Sequence, residues 1–359
     1  MSLRVSLAPQ RRPTAYAPPL LDPNGARVVL GATGAPIVPA ADTLFGPRGA
    51  CFADGALFVC DTGHHRVMAW NAIPETDHAP ADFVLGQPDF GAEGRAGMFH
   101  VPTGIAAACG VLALADAWNH RVLLWHGAPR SANRPADVVL GQADFDPKLP
   151  NRGLGAPRAD TLNWCYGVAI AEGRLLVADT GNRRVLVWER IPERHGQPAD
   201  LVLGQPDCAT RDAGALRWPH AIAATENLFF VADAGSNRIL AWRGIPRSNG
   251  APCDFMLGET GFDYYPRAAT LSMPYGIALL GDTLVVADTA HSRLLGFSLN
   301  DLATPGCLAG QYRFEDKGDN RWQPPARDSL CWPYGVAACG KLLAVADSGN
   351  NRVLLWERA

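Results

Sequence analysis

Short runs of Val, Leu, Ile and Ala alternate along the chain with clusters of Gly, Pro, Asn and Asp, and no apolar stripe keeps helical spacing for more than a turn or two. This pattern predicts β-strands joined by tight turns. The stretch from Thr103 to Gln142 shows it most clearly: T-G-I-A-A-A, V-L-A-L-A-D, R-V-L-L-W and A-D-V-V-L-G-Q read as four successive strands. In the next unit, Ala178 to Arg184 (A-D-T-G-N-R-R) reads as a turn between the second and third strands, with Gly or Asn at positive φ and Asp capping backbone amides.

The unit recurs. Asp61, Asp116, Asp179, Asp233, Asp288 and Asp347 are each followed after five residues by Arg66, Arg121, Arg184, Arg238, Arg293 and Arg352. Four residues later stand Trp70, Trp125, Trp188, Trp242, Phe297 and Trp356. Successive aspartates are 55, 63, 54, 55 and 59 residues apart, a period typical of stacked or circular arrays of supersecondary units. Four strands repeated six times predict an all-β, six-bladed propeller. The last unit, ending in Trp356 to Ala359, lacks a fourth strand, and Arg27-Val28-Val29-Leu30-Gly31 resembles one. The N-terminal strand is therefore expected to complete the last blade and hide two sheet edges. The chain then divides into a Pro-rich tail, 1–25, and a single propeller, 26–359.

The pattern L-x-x-P-x-G-I/V-A followed by V-A-D-T-G-N-x-R-V-L-x-W resembles the NHL repeat, a blade unit of six-bladed propellers, over residues 26 to 359. That resemblance implies the fold. For function it implies a range, since NHL propellers include RNA-binding, protein-binding and lyase domains. The amidating lyases with NHL-like propellers use channel histidines, and no such ligand set matches here residue by residue. A further motif places Asp82, Asp137, Asp200 and Asp254 each twelve residues after a repeat tryptophan, within P-A-D or P-C-D ahead of V/M-L-G-Q/E.

Composition narrows the field. Of 359 residues, 32 are Lys or Arg and 35 Asp or Glu, giving a net charge of −3, which disfavours non-specific nucleic-acid binding. The longest apolar stretch, Gly104 to Ala115, is too short to cross a bilayer, so no membrane partner is expected. Nine cysteines without C-x-x-C pairs read as reduced thiols. The N-terminus lacks the apolar core of a signal peptide, and a cytoplasmic protein is expected.

A residue type present in all six units first solves a six-fold structural problem, so the Asp, Arg and Trp of the repeat read as scaffold. Function belongs where the repeat is broken. The loop leading into each first strand and the turn between second and third strands emerge on one face, around the channel mouth. Flanking the proline of each leading loop, or the Cys165 that replaces it, stand three of the seven tyrosines and three of the ten tryptophans. Arg48, Trp164, Tyr166, Trp218, His220, Tyr275, Trp332 and Tyr334 are the candidate ligand-binding residues. Their mixture of flat apolar rings and polar donors suits a small organic ligand or a protein partner. Rings that merely plug the channel are the alternative.

Leading loops 143–163 and 312–332 are longer than the rest; they carry Asn151-Arg152 and Asn320-Arg321, then Arg158 with Asp160 and Arg327 with Asp328. Together they are expected to form two lids over the mouth. Arg152, Arg321 and Trp118 are candidate partner contacts, and Arg48, Arg152, Arg217 and Arg321 a candidate positive patch. His100 and His220 are the candidate metal ligands, with His64 and His291 on the same face, yet no H-x-x-x-H fixes a set. No nucleophile elbow, phosphate loop or dinucleotide fingerprint occurs in a usable context. A binding or scaffolding role without cofactor is therefore favoured over a lyase or hydrolase using a divalent metal such as zinc or calcium in the channel.

Overall fold

A computed structural model describes residues 16–31, 38–94, 98–146, 148–212, 216–258 and 266–359. The described strands form six antiparallel four-stranded sheets. Blade one comprises Gly49–Ala53, Ala56–Asp61, Arg66–Trp70 and Phe83–Leu85. The first strands of the other blades, Pro102–Ala108, Cys165–Ala171, Pro219–Ala224, Pro274–Leu280 and Pro333–Cys339, each pack beside the next around the axis. The fourth strands are shorter than the sequence implies: in blade two only Val138–Leu140 pairs with the third strand.

Closure occurs as expected. Val28–Leu30 pairs with Arg352–Glu357, Val28 opposite Leu355 and Leu30 opposite Val353. The segment expected to be a tail joins the fold from residue 16 onward. Leu20 and Leu21 are buried, the Leu20 amide donates to the Leu308 carbonyl at 2.9 Å, and Trp356 Nε1 donates to the Asp22 carbonyl at 2.8 Å. Leucine burial and an unpaired sheet edge bring it in.

Six apolar cores hold the ring, one between each pair of neighbouring blades. The repeat tryptophan, or Phe297, lies in the core shared with the preceding blade, as Trp125 does beside Phe58 and Phe99. The indoles also fasten the loop from third to fourth strand: Trp70, Trp125, Trp188 and Trp242 donate to carbonyls nine residues on at 2.9–3.1 Å. The twelve-residue motif belongs to the same loop, since Asp82, Asp137, Asp200 and Asp254 each accept the amide of the residue after the tryptophan at 2.7–2.9 Å. It is a loop brace.

The repeated Asp and Arg are a clamp. Arg184 Nε meets Asp179 Oδ2 at 2.7 Å with both side chains fully buried, and its terminal nitrogens reach the Arg158, Thr161 and Cys208 carbonyls. It thereby ties the leading loop of its blade to the loop beyond the fourth strand. Asp179 Oδ1 accepts the Asn163 amide, sixteen residues upstream. The aspartate thus braces the leading loop and makes no cap within its own turn. Positive φ also falls one residue later than the turn chemistry implies, on His65, His120, Arg183, Asn237, Ser292 and Asn351. The turn glycine serves close approach instead: a Cβ on Gly181 would lie 2.6 Å from the Asn163 carbonyl oxygen.

Candidate site at the channel mouth

Each blade contributes one residue, directly after the proline or Cys165, to a ring around the axis: Arg48, Thr103, Tyr166, His220, Tyr275 and Tyr334. The following residue is glycine in five of the six blades because the backbones nearly touch there. A Cβ on Gly49, Gly167 or Gly335 would overlap the carbonyl oxygen of Thr103, His220 or Arg48 in the next blade. The hydroxyls of Thr62, Thr180 and Thr289 lock the same joint, donating to the carbonyls of Pro102, Pro219 and Pro333 at 2.5–2.7 Å; Ser348 does so to Pro47. The ring residues are thus fixed at their Cα atoms and differ only in side chain.

Four of those side chains form a ladder. Tyr166 stacks on His220 with centroids 4.7 Å apart and planes 12° from parallel; His220 contacts Tyr275 at 4.3 Å; Tyr275 stacks on Tyr334 at 4.3 Å and 7°. The Arg48 guanidinium lies over Tyr334, 4.6 Å from its centroid, a cation–π contact. Burial and then the Arg48 charge push the His220 imidazole down to about 3, so it is neutral at physiological pH. Burial raises the Tyr166 and Tyr275 phenols, which remain hydroxyl donors.

The ladder separates two spaces. On one side is a cavity of about 290 Å³ lined by the Gly, Ala, Val and Ile of the first strands. On the other lies a mouth cavity of about 360 Å³. Seven of the eight expected ligand-binding residues line the mouth: Arg48, Trp164, Tyr166, Trp218, His220, Tyr275 and Tyr334. Trp332 does not, although it is exposed at the equivalent position of its own leading loop. Trp164 and Trp218 are 47% and 46% exposed, so their rings present apolar surface to solvent.

Arg183, Thr180 and Gly181 also line the mouth, from the turn of blade three. Arg183 was legible as an irregularity. In five blades the left-handed residue of this turn accepts the amide preceding the next blade's proline or Cys165: His65 takes Val101, His120 takes Trp164, Asn237 takes Met273, Ser292 takes Trp332 and Asn351 takes Gly46, at 2.8–3.3 Å. All five receiving residues have φ between 48° and 54°. Arginine has no acceptor. Trp218 accordingly lacks positive φ and donates its amide to Asp233 at 3.0 Å.

The other candidates fall elsewhere. Trp118, 41% exposed, turns its Nε1 to the Tyr166 hydroxyl at 3.2 Å and contacts His100 at 5.3 Å, so it belongs to the wall of the ladder. Arg152 and Arg321 line neither the mouth nor the channel. They pair at 2.7 Å with Asp160 and Asp328 of their own loops, while Asn151 and Asn320 bond Asn182 and Asn350 of their own blades. The two long loops are thus braced against blades three and six, and the arginines expected to reach over the mouth are held by carboxylates of their own loops, although Arg152 Nη2 is buried without a hydrogen-bond partner. Arg217 is exposed without lining the cavity, so the proposed patch of four arginines reduces to Arg48. His64 and His291 take the place of the turn Asn and meet Asp61 and Asp288 at 2.9 and 2.8 Å. His100 contacts Trp118, whereas His220 sits among tyrosines; among the described residues no three His, Cys, Asp or Glu side chains group to hold a metal. No helix among the described residues is long and apolar enough to cross a membrane.

No protein family matches the chain by its sequence profile, and no curated protein does so. Solved structures do match in fold. The WD40 β-propeller domain of Doa1 superposes with a TM-score of 0.51 at 11% identity, over 93% of this chain and 97% of that one. A Bacteroides thetaiotaomicron protein of unknown function gives 0.55 at 12%, over 96% and 75%. Kuenenia stuttgartiensis hydrazine synthase gives 0.51 at 12%, over 88% and 96%. At such identity the likeness is one of fold: a β-propeller.

Proposed function

We propose that this chain is a binding module, a propeller of NHL-type repeats that captures an organic ligand or a projecting group of a protein partner at its leading-loop face. The observation that carries this reading is the ladder of Tyr166, His220, Tyr275 and Tyr334 under Arg48, which lines both the channel and the mouth cavity. None of these residues belongs to the six interblade cores. Concave apolar walls with a few converging polar groups are the usual make-up of a binding site. The WD40 neighbour supports the interaction role only as an analogy of fold.

The test is capture from a cell extract, with bound small molecules and proteins identified by mass spectrometry. A variant carrying Tyr275→Ala and Tyr334→Ala should melt within a few degrees of the unmodified protein, since its cores are intact, and should lose the captured species. Identical capture by a folded variant would remove the mouth from consideration.

A further inference from the structure

The chemistry of the mouth selects a class of ligand. Two guanidiniums, Arg48 and Arg183, line it, and no Asp or Glu does, although acidic residues outnumber basic ones in the chain. Each repeat arginine has its carboxylate, and so do Arg152 and Arg321. Arg48 and Arg183, both half-buried, have no ion pair among the described residues. A cation partly withdrawn from water and left unpaired gains more from an incoming anion than a solvated one does.

The neighbouring groups point the same way. His220 is neutral, so it neither repels nor supplies charge. The Thr180 hydroxyl is already committed to the Pro219 carbonyl at 2.5 Å. The Tyr166 oxygen accepts from Trp118, which leaves its own hydrogen for an acceptor in the cavity. The site therefore offers donors and positive charge between flat apolar walls. Its size, about 360 Å³, is at the small end of ligand pockets.

We propose that the mouth binds a small organic anion, a carboxylate or phosphate ester on a flat ring, with its oxygens on Arg48 and Arg183 and its ring against Trp164, Trp218 and the tyrosine ladder. This rests on the mouth being a ligand site, and it adds the charge.

Ligand-observed NMR titration of the full chain with phenylacetate, phenyl phosphate and the neutral phenylacetamide tests it. At least one anion should bind about tenfold or more tightly than the amide, and raising salt to about 0.5 M should weaken the anion alone. The two anions separate carboxylate from phosphate recognition. Arg48→Gln and Arg183→Gln should each lower anion affinity by about tenfold and amide affinity by clearly less. Equal binding of amide and anions, salt-independent anion binding, or no anion binding would overturn the proposal. If the amide binds as well as the anions and both are lost in Tyr275→Ala with Tyr334→Ala, the ligand site stands and only its charge preference falls. Should every probe bind that double variant as it binds the unmodified protein, the ligand site falls as well.

Discussion

Tyr275 and Tyr334 lie face to face, their centroids 4.3 Å apart and their planes inclined by 7°, although 59 residues separate them along the chain. Adjacent blades bring them together. The Arg48 guanidinium over Tyr334 comes from the blade on the other side of the closure, so the two ends of the chain meet in the candidate site. This makes the electrostatics of the mouth depend on an intact ring.

Arg48→Gln should raise the His220 pKa from its depressed position near 3, measured by following the imidazole through an NMR pH titration. It should remain below the ordinary imidazole value near 6.5, because burial is the larger cause. The sign for stability follows from the unfolded chain taking up the proton more readily. The contribution of neutral His220, and of His120, pushed down to about 4 by burial and by His100, is complete above pH ~6.5. It is lost as pH falls through those lower values. Denaturant melts across pH 7 to 4 should show stability declining, with a shallower decline in His120→Asn; an equal decline in both proteins contradicts the assignment.

The clamps differ in cost. Asp179→Ala strands a fully buried guanidinium, and its expected destabilisation is about 3–5 kcal/mol. Asp233→Ala should cost clearly less, because Arg238 is 26% exposed and its pair is longer, 3.1 Å against 2.7 Å. Urea unfolding of the two variants side by side decides the order.

Trp356→Phe removes the bond from Nε1 to the Asp22 carbonyl at 2.8 Å while keeping most of the apolar bulk. A loss of about 1 kcal/mol is expected. Faster proteolysis should be confined to residues 16–30, because that segment closes the last blade. Uniformly increased cleavage along the chain would mean that the indole supports the whole ring.

Arg183→Asn restores an acceptor at the one turn that lacks it. Trp218 should then adopt φ near +50°, as Trp164 and Trp332 do, with its amide bonded to the new side chain. A crystal structure of the variant checks this, and an unmoved Trp218 would show that Asp233 is its preferred acceptor.

The repeat spacing, together with the fourth strand missing after Trp356 and its like at Arg27 to Gly31, determined six blades, the closing strand and the structural standing of the Asp, Arg and Trp, because each depends on residues paired within one blade or across a fixed joint. It also marked the mouth positions, since broken symmetry is visible in a sequence. The sequence could not place Arg183 with Arg48, turn Trp118 onto Tyr166, or show that Arg152 and Arg321 are held by Asp160 and Asp328. Those contacts join side chains from different blades or from irregular loops, where rotamer and local partner decide the outcome and no periodicity records it. The tertiary structure therefore selected the aromatic ladder and its two guanidiniums from the larger set of residues that the broken repeat had exposed.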